Sequence, residues 1–106
     1  MTHFESLTFD RVVIRPVAIP MRRPIVAKVG TYPEWPFILI DVYTKEGVVG
    51  HSYLEPYLKN AVRYIGPAIE DMARAFAGRR LAPLDMYRDV MGTLHLLGRQ
   101  GVSVIA

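Results

Sequence analysis

Cysteine is absent from the sequence, and this absence excludes a disulfide framework and any metal site built on thiolates. Long hydrophobic runs are absent too, since no apolar stretch approaches the roughly 18 residues that a membrane-spanning helix needs. Charges at Glu5, Asp10 and Arg15 interrupt the first twenty residues, unlike the apolar core of a signal peptide. We therefore expect a cytoplasmic protein with no membrane partner.

A large excess of one charge is also missing, because 13 basic residues against 10 acidic ones leave a net charge of +3. The sequence has no basic run and no polar segment with interleaved aromatic residues, so a nucleic-acid partner is not expected. Hydrophobic residues make up 51% of the chain and charged residues 22%, a balance typical of globular proteins. A chain of 106 residues is one domain's length, enough to bury about 60–70% of its unfolded surface.

Groups that could carry chemistry are few. His3, His51 and His95 are far apart in sequence, so they do not predict a metal site. Ser52 and Ser103 lack the strand-turn-helix context of a nucleophile. His51 falls in a predicted strand, where we interpret it as a structural histidine held by a hydrogen bond. The residues alone therefore predict no catalytic group and no metal ligand in this chain.

What the sequence does contain is a strong hairpin pattern. Residues 37–44 are an unbroken run of strand-forming side chains in which Asp41 is the one charge. Alternation places two sets of side chains on opposite faces, with Phe37, Leu39 and Tyr43 on one and Ile38, Ile40 and Val42 on the other. Gly47 can take the positive φ of a bulged turn, and residues 48–54 return as the second strand.

A further strand is predicted over residues 7–19, which are rich in valine and isoleucine. One parity of this strand holds Leu7, Phe9, Val13, Val17 and Ile19. Pro16 removes a ladder donor, which favours an edge strand or a bulge, and Pro20 ends the strand. Residues 21–35 show no clear period, so either they form a functional lid loop or their apolar side chains tuck under the sheet.

After the hairpin the apolar period changes from two to about 3.6. Residues 58–65 predict a short helical piece that Gly66-Pro67 breaks, and Pro67 begins a new helix with Gly78 as its C-cap. The apolar stripe of this helix consists of Ile69, Met72, Ala73 and Phe76. Met72, Met86 and Met91 are predicted to fill the core. Another helix is predicted over residues 84–97, and the start of one more over residues 101–106. Because that last apolar pattern stops without a cap or a polar face, we expect a fragment of a longer protein.

Three segments carry a family resemblance: AKVGT at residues 27–31, PFILIDV at residues 36–42 and GVVGHSYLEPY at residues 47–57. With the order of strand, long loop, hairpin and helices, they resemble the N-terminal capping domain of the enolase superfamily, in its mandelate racemase and muconate lactonizing enzyme group. The resemblance implies an α+β fold, a three-stranded antiparallel sheet followed by a helical segment. Residues 1–106 would be the cap, and the TIM-type barrel of the parent enzyme would be absent from this chain.

The resemblance further implies what the parent enzyme does. Its barrel would supply the bases and the carboxylates that bind Mg²⁺ and would remove the proton α to the carboxylate of a 2-hydroxy acid, as a racemase or as an acid-sugar dehydratase. The implied partners are the C-terminal barrel domain, the small-molecule 2-hydroxy carboxylate and further copies in a homo-oligomer, and the fragment alone would be inactive. The alternative is a free-standing α+β module that binds a small ligand or a protein through residues 21–35.

A cap of this kind is expected to close the site and set specificity through two loops. By resemblance, the apolar pocket positions are Ile25, Val29 and Tyr32 in the first loop, Tyr57 in the second, and Leu96 at the pocket wall. Two positions depart from mandelate racemase itself, because Glu55 stands where that enzyme has an aromatic residue and Lys28 adds charge to a more apolar loop. A buried carboxylate beside an aryl ring is costly unless paired. Glu55 therefore favours a polar substrate such as a sugar acid, unless its side chain points to solvent.

Overall fold

Strands come first in this chain and helices follow. A computed structural model describes residues 7–98 and 100–106. One antiparallel sheet in the order β1-β2-β3 consists of β1 Phe9–Ala27, β2 Gly30–Thr44 and β3 Val49–Leu54. The helices are α1 Val62–Arg74, α2 Pro83–Thr93 and α3 Val102–Ile105, with 3₁₀ turns at Lys59–Ala61 and His95–Leu97. This order confirms the predicted α+β fold, whereas His3, one of the three histidines considered above, lies outside the described residues.

The β2-β3 hairpin forms where the alternating pattern predicted it. Its ladder joins residues 38–43 of β2 to residues 49–54 of β3. Thr44 closes the turn, because its hydroxyl donates to Val48 O at 2.7 Å and accepts from Val48 N–H at 2.9 Å. Gly47 has a φ of 88°, which confirms the positive φ predicted for this turn.

β1 is an edge strand, as Pro16 suggested, but its predicted parity is wrong at one end. A bulge at Asp10 shifts the register against β2. Because a bulge adds one residue to one strand, the alternation of faces inverts there. Phe9 and Val12 therefore line the same apolar space against the helices, and Val13 falls on the opposite face.

Residues 21–35, predicted as an irregular loop, belong to the two strands instead. β1 runs on past Pro20, and β2 starts directly after a two-residue turn of Lys28 and Val29. The strand ends pair beyond the rest of the sheet, and these residues, 20–34, are called the ribbon below. A hydrogen-bonded hairpin thereby replaces the predicted irregular loop, and Val26 and Val29 are exposed rather than tucked under the sheet.

A second bulge explains why the sequence pattern concealed the ribbon. Pairing stops after Pro20 and resumes at Ile25, so residues 21–24 lie opposite Pro33 alone. Pro24 and Pro33 thus occupy positions where the ladder is already interrupted, and neither removes a hydrogen bond that a regular strand would need. The bulge also breaks the two-residue period by which a strand is recognised in a sequence.

α1 is continuous through Gly66-Pro67, where a break was predicted. Pro67 removes one helical hydrogen bond. Burial of Ile65 and Gly66 against the sheet offsets this loss. A Cβ at Gly66 would lie 3.5 Å from Ile14 Cγ2, an ordinary van der Waals distance, so α1 packs closely on β1 at this point.

Two helix ends also differ from the predictions. α1 ends at Arg74, and Gly78 lies beyond its C-cap in the turn that returns the chain to β1. There Gly78, with a φ of 82°, donates its N–H to Phe9 O at 2.9 Å. α2 ends at Thr93 rather than at Leu97, because the last residues tighten into a 3₁₀ turn.

The core lies between one face of the sheet and the helices. Its buried hydrophobic residues are Phe9, Ile38, Ile65 and Phe76. Beside them an apolar groove of about 440 Å³ remains between the sheet, α1, α2 and α3, here called the sheet-helix groove. Met72, Met86 and Met91 line this groove, where they serve as apolar packing residues, as predicted.

Candidate functional site

The positions predicted for the first loop all lie on the ribbon. Ile25 pairs with Tyr32 across it, and Lys28 and Val29 form its tip. Val29 is 83% exposed and Val26 is 77% exposed. Neighbouring apolar side chains with this exposure contribute little to the stability of the domain itself. They leave the tip as a surface suited to cover another apolar body.

A corner of residues 55–57 follows β3. Pro56 is buried in it, whereas Glu55 and Tyr57 are exposed. Leu58 N–H donates to Pro56 O at 2.7 Å and closes a three-residue turn around Tyr57. Tyr57 has a φ of 64°, in the left-handed region that residues other than glycine rarely adopt. The corner therefore presents two exposed side chains, Glu55 and Tyr57, on a tightly constrained backbone.

Trp35 joins this corner to the ribbon. Its ring meets the ring of Tyr32 edge-on with 6.3 Å between centroids, and that of Tyr57 with 5.7 Å. Its indole Nε1–H donates to Glu55 Oε2 at 3.4 Å. Each edge-on aromatic pair stabilises by about 0.5–1.5 kcal/mol beyond its buried area. Tyr32, Trp35, Glu55 and Tyr57 are called the Trp35 cluster below.

An ion pair also joins the ribbon to the residues that follow the corner. Lys59 Nζ, just after the corner, lies 3.5 Å from Glu34 Oε1 on the ribbon. Both side chains are exposed, so this pair contributes only about 0–1 kcal/mol. Within the described residues, Arg22, Arg23 and Lys28 have no ion-pair partner, and the ribbon therefore carries net positive charge.

The structure brings together only some of the predicted positions. Tyr32, Glu55 and Tyr57 meet in the cluster, although they come from two different segments of the chain. Leu96 is 97% exposed in the turn after α2, so it does not pack against them. Trp35, which joins the others, was not predicted as a site residue. Its sequence signal is that it is the sole tryptophan, placed directly before the hairpin.

A separate group of charges crosses the outer face of the sheet. Asp41 accepts a hydrogen bond from the Arg15 guanidinium, and its Oδ1 lies 2.6 Å from His51 Nδ1. The hydrogen bond with His51 and then that with Arg15 hold the pKa of Asp41 below its ordinary value. The same contact with Asp41 raises the pKa of the Arg15 guanidinium. These contacts confirm the interpretation of His51 as a hydrogen-bonded structural histidine.

The described residues do not form a metal site by themselves. Across residues 7–98 and 100–106, no three or more His, Asp or Glu side chains come together as a possible ligand set. Mg²⁺ prefers octahedral coordination by oxygen ligands, including at least one or two carboxylates beside water or substrate. The described residues therefore do not provide a set of ligands for Mg²⁺ on their own. Over the same residues, every helix is too short or too polar to cross a bilayer.

The chain matches a known domain over most of its length. Residues 10–100 match the family model of the mandelate racemase / muconate lactonizing enzyme N-terminal domain. An enolase from alpha proteobacterium bal199 with bound Mg is 45% identical, with a TM-score of 0.87, over 92% of this chain and 27% of that one. An enolase from Bradyrhizobium complexed with magnesium and mandelic acid is 37% identical, with a TM-score of 0.81 and the same coverage, 92% and 27%.

A more distant structure shows the same fold. The L-Ala-D/L-Glu epimerase from Bacillus subtilis, in a substrate-liganded complex, is 17% identical, with a TM-score of 0.71, over 93% of this chain and 27% of that one. At this identity the likeness concerns the fold alone. The chain thus spans 27% of the length of each of these three proteins.

Proposed function

This chain belongs to the mandelate racemase and muconate lactonizing enzyme family, whose N-terminal domain it matches, and from that membership we propose that it is the cap and specificity domain of an enolase-superfamily enzyme. The parent enzyme would remove the proton α to the carboxylate of a 2-hydroxy acid with the help of Mg²⁺. Residues 1–106 would form the cap, without catalytic residues of its own. A C-terminal barrel domain would hold the metal and the bases, in a cytoplasmic homo-oligomer.

The observation that carries this proposal is the Trp35 cluster. It joins the two segments that a cap needs for closure, the ribbon before the hairpin and the corner after it. A relative that is 37% identical over 92% of this chain is complexed with magnesium and mandelic acid, which supports a 2-hydroxy acid as the substrate class. Closure of such a cap expels water and strengthens the electrostatic interactions that act on a developing charge.

Each exposed group has a proposed role toward the substrate. The tip side chain Val29, with Ile25 beside it, would exclude water from the site. Lys28 would face the substrate carboxylate, because it is a cation without an ion-pair partner in the described chain. Glu55 would accept a hydrogen bond from a substrate hydroxyl, and the Tyr57 ring would cover the carbon skeleton.

Two outcomes of the reaction are compatible with such a cap. Return of the proton to the opposite face of the α carbon gives racemisation, whereas loss of a hydroxyl from the next carbon gives dehydration. The Glu55 carboxylate is exposed in this domain, and the proposed barrel would bury it on closure, where it would favour a substrate with several hydroxyl groups over one with an aryl ring. We therefore place acid sugars first among the 2-hydroxy acids, and the choice between racemisation and dehydration would depend on where the barrel places its bases.

Exchange of the α proton tests the proposed function directly. The parent protein is incubated with Mg²⁺ in D₂O with mandelate, lactate and a panel of aldonic acids, and the α-proton signal is followed by NMR. We expect exchange, racemisation or dehydration of at least one acid, loss of it with EDTA and recovery with added Mg²⁺. The 106-residue chain alone should be inactive. Absence of exchange with every acid, together with a folded monomer that binds a ligand through the ribbon, would instead support a free-standing binding module.

Replacement of Glu55 tests the proposed substrate preference. In the parent enzyme, Glu55→Phe should improve kcat/KM for aryl hydroxy acids relative to sugar acids by about 10-fold or more. The reason is that binding of an aryl ring would no longer desolvate a carboxylate beside it. Glu55→Gln is the matched control, since it keeps the size and the hydrogen-bonding capacity and removes the charge. An unchanged ratio of the two kcat/KM values in Glu55→Phe would remove Glu55 from the specificity argument.

A further inference from the structure

We propose that Trp35 is a positioning residue that couples the ribbon to the corner, so that the two covers close over the substrate as one body. The coupling deepens the proposed function and rests on it for its catalytic meaning. Its structural basis is independent of any substrate, because three contacts converge on this one side chain.

The position of Trp35 along β2 is what allows it to couple the covers. It pairs with Ile19 in the last regular part of the β1-β2 ladder, on the sheet side of the bulge at residues 21–24. Tyr32 lies on the tip side of that bulge, opposite Ile25. The edge contact between Trp35 and Tyr32 therefore crosses the point at which backbone pairing is interrupted. Without it, the tip could pivot at the bulge independently of the sheet.

The same indole holds the corner from the other side. Its contact with the Tyr57 ring restrains a residue whose φ of 64° is unfavourable for a side chain with a Cβ. Its N–H donates to Glu55, the carboxylate proposed to read substrate hydroxyls. The ion pair between Glu34 and Lys59 also joins the ribbon to the residues after the corner. Both side chains are exposed, so solvent and salt screen the attraction between their charges. Trp35 is consequently the main connection.

Tyr53 provides a matched control for this coupling. Its ring meets Phe37 edge-on with 5.8 Å between centroids, a contact like those of Trp35. Tyr53 lies opposite Leu39, one pair from the end of the β2-β3 ladder, and its ring contact with Phe37 joins neither the ribbon nor the corner. Removing its ring tests whether loss of any aromatic pair on this sheet has the same effect.

Hydrogen exchange measured by mass spectrometry on the parent protein tests the coupling without reference to activity. In Trp35→Ala, amide exchange in peptides covering residues 21–34 and 55–59 should accelerate together, by about 10-fold, as expected from loss of two edge contacts. Trp35→Phe keeps a ring for both contacts and should restore most of the protection in each segment. Tyr53→Ala should leave both segments within about twofold of the wild type.

Kinetics on the same variants tests the positioning role. Trp35→Ala should raise KM for the preferred 2-hydroxy acid by about 10-fold and lower kcat much less, since the bases lie outside the covers. Trp35→Phe should recover KM, apart from the effect of the lost N–H on Glu55. Acceleration in only one segment, no acceleration, or an equal effect in Tyr53→Ala would overturn the coupling. Coupled exchange in a parent protein that acts on no 2-hydroxy acid would support the coupling while the proposed function fails.

Discussion

Tyr57 combines a backbone conformation suited to glycine with a ring that contacts Trp35. In the proposed parent enzyme, Tyr57→Ala and Tyr57→Gly should both raise KM or lower kcat without abolishing proton exchange, because each removes the ring and neither affects the bases proposed for the barrel. The glycine variant should be more stable than the alanine variant by about 1 kcal/mol, since only alanine keeps the Cβ that disfavours a φ of 64°. Urea unfolding and steady-state kinetics measure the two effects. Complete loss of proton exchange in a folded, metal-loaded variant would contradict a covering role for Tyr57.

Asp41 should make the stability of the domain dependent on pH in the acid range. Its hydrogen bonds with His51 and Arg15 lower its pKa in the folded state below its ordinary value. A lowered folded pKa means that the stabilisation is present above the unfolded pKa and is lost as pH falls through the folded pKa. Urea unfolding from about pH 6 to about pH 2 should show this loss in the wild type and a weaker acid dependence in Asp41→Asn.

A control for Asp41 is available on α1. Asp71→Asn removes a carboxylate that pairs with Arg74 at 2.8 Å within one exposed helix face. Exposed pairs of this type contribute little, so the Asp71 variant should follow the acid profile of the wild type. An Asp41→Asn protein with the full acid dependence of the wild type would show that the charges across the sheet do not stabilise it.

Single residues also show how far the site could be predicted from the sequence. Tyr32, Glu55 and Tyr57 were predicted by resemblance and do meet, whereas Leu96 was predicted with them and lies exposed elsewhere. Trp35 could not be predicted, because its partner Glu55 is 20 residues away and the contact depends on the register of two strands. Local periodicity identifies the face on which a side chain lies, but it does not identify the partner that reaches the same point from another segment.

At the level of elements, Gly66 marks the point where α1 packs closely on β1. A Cβ there would meet Ile14 Cγ2 at 3.5 Å, an ordinary van der Waals distance. Gly66→Ala should therefore fit and stabilise the domain by up to about 1 kcal/mol, because glycine is a poor helix former. Gly66→Leu should destabilise it by about 1–3 kcal/mol, since the larger side chain must push the helix away from the sheet.

Gly92 in α2 is the matched position, because a Cβ there has nothing within 4 Å. Gly92→Ala and Gly92→Leu should both be neutral or stabilising, as expected from helix propensity alone. Thermal and urea unfolding of the four variants separate the contribution of helix propensity from that of packing against β1. Equal effects of leucine at both positions would show that the packing of α1 on β1 does not require a small residue at position 66.

Elements were predicted well where patterns were uninterrupted and poorly where a bulge intervened. The β2-β3 hairpin and its turn at Gly47 follow directly from alternation and a turn residue. The bulges at Asp10 and at residues 21–24 each add residues to one strand only, and a strict period of two cannot represent them. The predicted break at Gly66-Pro67 failed for another reason, since packing of α1 on the sheet outweighed the intrinsic preference of proline.

The whole molecule exposes more surface than a compact protein of its size. Its accessible surface is 7905 Å², against roughly 6,000 Å² expected for a protein of 12.0 kDa. Its radius of gyration is 16.1 Å, against about 13 Å for a compact chain of this length. The ribbon and the open sheet-helix groove both contribute to this shape. A surface of this kind is suited to packing against a further domain.

A stability comparison follows from this excess surface. The isolated 106-residue chain should unfold at a lower temperature than the same domain in the parent enzyme, because the proposed barrel would bury part of the ribbon and stabilise the folded cap by mass action within one chain. Calorimetry on both proteins, with hydrogen exchange to assign the transition to the cap, measures the difference. An isolated chain with the same unfolding temperature as the cap in the parent would argue against such packing.

The bulge at residues 21–24 can absorb changes in chain length. It lies between two regular ladders, so residues can be inserted or deleted there without changing the register of the sheet or the turn at Lys28 and Val29. β2 runs on opposite the bulge through Pro33, so the tip side chains keep the faces that β2 gives them. Because a bulge bends its strand, we expect such length changes to re-aim the tip while the hydrophobic core stays intact.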